Sequence, residues 1–150
     1  MRDVAARVLL DAAREGAARA HAPYSRFAVG AAALLADGQI VVGANFENAS
    51  YGLSLCAETV ALATASSQGR LRDVVAIAVT GGALEGDGSL RGAVTVTPCG
   101  RCRQIINEAA QLGGRDIDIY CGAPAGGAFA HYRISDLLPH AFGPADLDID

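Results

Sequence analysis

The chain has 150 residues, of which 51% are apolar and 19% charged, with a formal net charge of -4. That length fits one domain over residues 1–150, able to bury most of its unfolded surface in a single core, and the composition excludes intrinsic disorder, which requires low hydrophobicity and high net charge. The 12 basic residues are all arginine and are scattered, so no basic stretch can neutralise a phosphate backbone and no nucleic-acid partner is expected.

Residues 3–20 read as a helix. Val4, Val8 and Ala12 recur at helical spacing, as do Leu9, Ala13 and Ala17, with charges over much of the rest. Those charges break up the apolar centre that a secretory signal needs. No run nears the roughly 20 apolar residues of a membrane span, so the chain is expected in the cytoplasm and off the membrane. Pro23 ends the helix by removing a donor and restricting the residue before it. Residues 29–36 and 39–45 read as strands joined by Asp37-Gly38, a hairpin signal because glycine takes positive φ cheaply. Residues 56–68 read as a helix closed by Gly69, and 73–80 as a buried, β-branched strand. The five glycines of residues 81–92 make that stretch the one long loop, with a strand extension at 93–96. After Pro98, residues 100–112 read as a helix closed by Gly113-Gly114. Residues 117–121 and 128–133 read as strands, and Ser135 caps a short last helix that stops at Pro139. Strands alternating with helices predict an α/β domain, a three-layer αβα sandwich around one mixed sheet of about five strands.

Four cysteines in a chain read as cytoplasmic are metal or catalytic candidates before they are disulfides. Cys56 opens one predicted helix, and Cys99 and Cys102 open another. Both helices cross between strands of one sheet, which brings their starts to the carboxyl edge of the strands, where open α/β sheets bind ligands. A Cys-x-x-Cys in a first turn puts two sulfurs on one side of the helix, and the free N–H groups there favour thiolate. Three thiolates and one open position suit a catalytic zinc, one per chain. Glu58, two residues past Cys56, need not be a ligand and can shuttle protons for water at the metal. Two other readings stand beside this one: a redox Cys-x-x-Cys pair, and a structural four-cysteine zinc with Cys121 as the fourth ligand. For Cys121 itself, a small buried hydrophobe is the favoured reading. The three histidines show no metal-ligand spacing.

Taken together, Cys56-Ala57-Glu58 and Pro98-Cys99-Gly100-Arg101-Cys102-Arg103-Gln104 resemble the zinc-dependent cytidine deaminase family in its small homotetrameric type. Pro23-Tyr24-Ser25-Arg26-Phe27-Ala28-Val29-Gly30-Ala31 looks like that family's opening substrate segment. Asn45-Phe46-Glu47-Asn48-Ala49 looks like its ribose segment, and Leu137-Leu138-Pro139 with Phe142-Gly143-Pro144 looks like its C-terminal segment. The resemblance thus covers nearly the whole chain. It implies a cytidine deaminase-like fold, zinc on Cys56, Cys99 and Cys102, and Glu58 as general acid and base. It also implies that Asn45 and Glu47 hold the ribose hydroxyls, that Phe27 lines the base pocket, and that the main chain around Ala57 and Cys99 reads the pyrimidine edge. Phe142 would reach the pocket of a neighbouring subunit in a homotetramer. On residue chemistry alone, Asn45 and Glu47 lie two apart at a strand end and point to one side. The implied reaction is hydrolytic deamination of cytidine and 2′-deoxycytidine to uridine and 2′-deoxyuridine with release of ammonia, in pyrimidine salvage.

One position departs from the pattern. Many relatives carry arginine directly after Cys-Ala-Glu, where it offsets the charge of three thiolates; here the residue is Thr59. Arg103, next to Cys102, is the nearest candidate for that part, against a plain surface arginine, with Arg101 and the helix dipoles as the remaining sources. Two alternatives of function stay open. One is a deaminase of a modified cytosine nucleoside such as blasticidin S; those relatives share both cysteine segments but tend to lack the Asn-x-Glu-Asn segment that is intact here. The other is a non-catalytic, zinc-stabilised interaction domain, which would have no need of Glu58.

Overall fold

The computed structural model describes residues 2–92 and 95–150. Helix α1 (Arg2–Ala17) leads into the hairpin of β1 (Phe27–Leu35) and β2 (Ile40–Ala44), then α2 (Ala57–Ser67), β3 (Val74–Leu84) and β4 (Leu90–Arg91). Helix α3 (Gly100–Gly113), β5 (Asp118–Gly122), β6 (Phe129–Arg133) and the single-turn α4 (Ile134–Leu137) complete the order. The sheet runs β2-β1-β3-β5-β6, with β4 paired to the end of β3. β3 and β5 are parallel, with α3 in the crossover, and the other pairs are antiparallel. The mixed sheet therefore has six strands rather than about five, the sixth being the two-residue β4.

Side chains alternate across β1 and so serve two cores. On one face Ala6, Leu9, Leu10 and Ala13 of α1 pack on Ala32, Ala76, Ala78 and Tyr120. On the other, Ala57, Ala61 and Leu62 of α2 and Ile106 and Ala109 of α3 pack on Ala31, Ala33, Ile77, Val79 and Ile119. Helices thus cover both faces of one sheet, a three-layer αβα sandwich. Among the described residues no helix is long and apolar enough to cross a membrane.

The differences from the sequence reading have local causes. Gly81 and Gly82 belong to β3, not to a loop. A Cβ on Gly82 would stand 2.4 Å from Arg91 O, and one on Gly81 would stand 2.9 Å from Ala28 O, so these glycines serve close strand approach. The turn is confined to the residues between β3 and β4, where the Ser89 N–H donates to Asp87 Oδ1 at 3.0 Å and Gly88 takes φ +84°. Of the strand extension at 93–96, Ala93 and Val94 lie outside the described residues, and Thr95 and Val96 are in no strand. The last helix starts at Ile134; the Arg133 N–H donates to Asp136 Oδ2 at 2.8 Å, while the Ser135 hydroxyl donates to Asp116 Oδ2 at 2.6 Å instead of capping.

Because β2, β3 and β5 run the same way, β2 and β3 end at the edge where β1 begins and where α2 and α3 start. Gly43 sets how near α2 comes to that edge. A Cβ there would lie 2.4 Å from Ala57 O and 2.6 Å from Ala61 N, so α2 rests on bare backbone. We expect Gly43→Ala to push α2 outward and lower Tm by about 5–10 °C, the usual effect of overpacking in a chain of this size. Thermal unfolding checks this, and an unchanged Tm would mean that α2 can shift without cost.

Candidate active site

The sulfur group is built from two helix starts. Cys56 is the N-cap of α2 and Cys99 the N-cap of α3, both in extended conformation. Pro98 contributes by disfavouring helical geometry at Thr97. Cys102 lies in the first turn of α3 and is buried. The three Sγ atoms lie within 4.8 Å of one another, and Cys56 and Cys99 are 3.7 Å apart. Zinc–sulfur bonds of about 2.3 Å at tetrahedral angles set sulfurs about 3.8 Å apart, so the triangle fits a zinc ion. Among the described residues, these are the only His, Cys, Asp or Glu side chains grouped in this way. Although burial opposes it, the main-chain N–H groups of Cys102 and Arg101 and the Cys56 and Cys102 side chains hold the Cys99 thiol below its usual range.

Glu58 sits one turn into this arrangement. It is 3% exposed, with Oε2 3.5 Å from Cys102 Sγ. Burial holds its carboxyl above the usual carboxylate range. Among the described residues no arginine or histidine pairs with it. A buried carboxyl beside three sulfurs is a donor set suited to a divalent cation. Cys121 stands apart, fully buried in β5 and outside the sulfur group; burial pushes its thiol up to about 12. The four-cysteine arrangement is therefore not formed.

A hollow of about 230 Å³ opens onto the sulfurs. Cys56, Ala57, Glu58 and Cys99 line it together with Val29, Asn45, Glu47, Ser54, Leu55, Val96 and Thr97. Asn45 follows β2 and ties it to β1: its Oδ1 accepts the Val29 N–H and its Nδ2 donates to Phe27 O, each at 2.9 Å. Glu47 Oε1 accepts the N–H groups of Tyr24 and Ser25, each at 3.1 Å. The Ser25 hydroxyl and these main-chain donors hold the Glu47 carboxyl below its usual range. A carboxylate offers about four acceptor sites, so capacity remains toward the hollow. Glu47 and Ser54 also face a neighbouring hollow of about 270 Å³ walled by Tyr24 and Tyr51.

Cys102 does not line the first hollow, and neither do two of the expected substrate residues. Phe27 is partly exposed at the start of β1 and meets the site through its main-chain oxygen, while Val29, two residues on, provides the apolar lining. The Phe142 ring is 61% exposed, and its main-chain oxygen accepts from Gln104 Nε2 at 2.7 Å and Asn107 Nδ2 at 3.2 Å. Ser54, Leu55, Val96 and Thr97 escaped the sequence reading, since no spacing marks them. Arg103 does not face the sulfurs. Its guanidinium donates to Pro98 O at 2.8 Å and Leu137 O at 3.0 Å, whereas Arg101 Nη2 lies 4.0 Å from Cys56 Sγ.

Residues 5–112 match the family described as the cytidine and deoxycytidylate deaminase zinc-binding region. The chain belongs to this family. A cytidine deaminase from Halalkalibacterium halodurans is 47% identical over 136 residues, covering 91% of this chain and 90% of that protein. One from Mycobacterium tuberculosis is 44% identical over 148 residues, covering 98% and 96%. Among solved structures, a cytidine deaminase from Burkholderia pseudomallei superposes with a TM-score of 0.77 at 39% identity, covering 91% of this chain and 98% of that one. The deaminase family's zinc region thus spans both cysteine segments of this chain.

Metal content separates the three-cysteine from the four-cysteine arrangement. Cys121→Ala is expected to keep one zinc per chain, whereas Cys56→Ala and Cys102→Ala lose it. Elemental analysis of the purified proteins reads both outcomes, and zinc that depended on Cys121 but not on Cys56 would reverse the assignment.

Proposed function

We propose that the chain hydrolyses the 4-amino group of cytidine and 2′-deoxycytidine, releasing ammonia and leaving uridine or 2′-deoxyuridine. The observation that carries this reading is that one hollow is lined by the buried Glu58 carboxyl, by Cys56 and Cys99 of the three-sulfur cluster and by the Asn45–Glu47 pair. Its relatives' names agree with it. Zinc held by Cys56, Cys99 and Cys102 supplies the Lewis acidity that makes water an effective nucleophile near neutral pH. Glu58 takes a proton from the attacking water and gives it to N3 of the ring as C4 is attacked, then carries the proton of the added hydroxyl to the departing amine nitrogen, so that ammonia leaves and C4 becomes a carbonyl. Its position behind the sulfurs keeps it away from bulk water. The main chain at Ala57 and Cys99 meets the pyrimidine edge, since N–H groups at a helix start lack intrahelical partners. Asn45 and Glu47 take the ribose hydroxyls, the carboxylate accepting from the diol, and Phe27 stands on the base side.

The active unit in this reading is a homotetramer, one domain of residues 1–150 per subunit, working in the cytoplasm in pyrimidine salvage. Phe142 supports the shared site: its main chain is fixed by Gln104 and Asn107 while its ring is left to solvent. A free nucleoside is favoured over nucleic acid because Glu47 and Glu58 face the hollow and the acidic chain has no basic groove.

Ultraviolet-monitored turnover on cytidine, 2′-deoxycytidine, cytosine and blasticidin S tests the substrate class. Conversion of the two nucleosides is expected, and turnover of blasticidin S alone would replace this reading. Glu58→Gln should keep zinc and lose about 10²- to 10⁴-fold in turnover, the usual contribution of a general acid–base; near-normal turnover would remove Glu58 from the chemistry. Phe142→Ala should lower kcat/KM by about ten- to a hundredfold, the stacking of an aromatic ring on a base being worth about 1–3 kcal/mol. A fully active monomer in sedimentation would refute the shared site.

A further inference from the structure

Three polar side chains stand in a row on one face of α3. Gln104, Asn107 and Gln111 are spaced three and then four apart, so they lie within about 60° of one another around the helix. All three meet the segment that carries Phe142. Gln104 Nε2 and Asn107 Nδ2 both donate to Phe142 O, at 2.7 Å and 3.2 Å. Gln111 Oε1 accepts the Ala145 N–H at 3.0 Å. The Gly143 N–H donates to Asp146 Oδ2 at 2.9 Å. Both polar atoms of the peptide between Phe142 and Gly143 are therefore held by side chains. Because a peptide is planar, this fixes the Phe142 Cα from which the ring projects. Gly143 allows so close an approach: a Cβ there would stand 2.5 Å from Gln111 Oε1 and 2.7 Å from Asn107 Nδ2. Asn107 is buried, whereas the Phe142 ring is exposed and, among the described residues, stacks on no other ring. These bonds do nothing for the burial of that ring; they set the place from which it reaches out.

We propose that Gln104 and Asn107, supported by Gln111, are positioning residues that hold Phe142 ready for the nucleoside. The proposal rests on the shared-site reading above, in which the ring enters a neighbouring subunit's hollow. The helix that supplies Cys99 and Cys102 thereby also sets how well the base is stacked. A ring whose main chain is fixed beforehand loses less freedom on meeting a ligand. Gln104 and Asn107 act through Phe142 and need not touch substrate. Their contribution belongs to binding and leaves the proton transfers at Glu58 alone, so KM should move and kcat should not.

Steady-state kinetics on cytidine with the zinc-loaded enzyme test the proposal. The variants are Gln104→Met and Asn107→Leu, each alone and each combined with Phe142→Ala. Both substitutions remove the donor and keep a side chain of similar size. Circular dichroism checks the fold and elemental analysis the zinc. Gln104 is exposed, so Gln104→Met decides the matter even where Asn107→Leu does not fold. Each single variant is expected to raise KM about 2- to 10-fold at unchanged kcat, the usual cost of ordering one mobile side chain on binding. In the Phe142→Ala background the same substitutions should change nothing further, which a merely structural part would not produce. An unchanged KM in every folded single variant would overturn the proposal, as would an equal rise with and without the Phe142 ring. A Phe142→Ala protein with unaltered kcat/KM would instead take down the shared-site reading itself, so the two failures are distinguishable.

Discussion

The absence of a side chain at Gly43 lets Ala57 O and Ala61 N of α2 come directly onto β2, where a Cβ would stand only 2.4 Å and 2.6 Å from them. This contact fixes the height of the α2 start above the sheet, and with it the positions of Cys56 and Glu58. The other sulfurs come from α3, which is seated independently in the crossover between β3 and β5. Sulfurs from two separately seated helices come within 4.8 Å only if both helices pack to a narrow tolerance. The other face follows the same rule: a Cβ on Gly30 would stand 1.8 Å from Ala13 O of α1. Glycines and alanines make this half of the sheet thin, so the site is held by close backbone approach more than by large side chains. Interiors packed this densely transmit small displacements, and a methyl group far from the chemistry can then disturb the metal ligands.

Much of this was legible in the sequence because local signals and tertiary demands agreed. The Asp37-Gly38 turn, the β-branched run that became β3, and the Gly113-Gly114 stop of α3 each meant in the fold what they meant locally. The cysteines were legible because helix starts after β2 and after the β3–β4 hairpin fall at one edge of the sheet. Gly81 and Gly82 were misread because glycine carries two opposite meanings. Conformational freedom suggests a loop, whereas the lack of a Cβ suits strands pressed by neighbours, and only the partners Arg91 and Ala28 decide between them. Arg103 was misdirected for a related reason. Adjacency to Cys102 in sequence says nothing about direction, and one position on a helix changes the facing by about 100°. Ser54 and Thr97 carry no pattern at all; the folded chain alone brings them to the hollow.

The ribose end of the hollow shows how a small domain can use one side chain for two purposes. Asn45 spends its amide on Val29 and Phe27 of β1, and so closes the open end of the hairpin. Glu47 spends one oxygen on the turn at Tyr24 and Ser25. Each keeps acceptor capacity on the side of the hollow. The bonds to backbone remove rotamer freedom in advance, so less entropy is lost when a ligand engages the same groups. The segment around Phe27 thereby belongs to the site through its main chain, whatever its ring meets.

The two glutamates at the hollow illustrate how surroundings divide one chemical group into two functions. Glu47 is half-buried and takes hydrogen bonds from Ser25 and Tyr24, which favour the ionised form. An ionised carboxylate is an acceptor only, the form suited to a pair of hydroxyl donors. Glu58 is almost fully buried, and burial favours its protonated form. A group that must both give and receive a proton gains from being drawn toward the working pH, away from the acid range where carboxyls ordinarily titrate. Environments that push two like groups apart are how one site assigns acid–base work to one and binding to the other. Here the separation follows from the fold: Glu58 is carried inward by the first turn of α2 that Gly43 admits, and Glu47 stays at the rim with the chain that leaves β2.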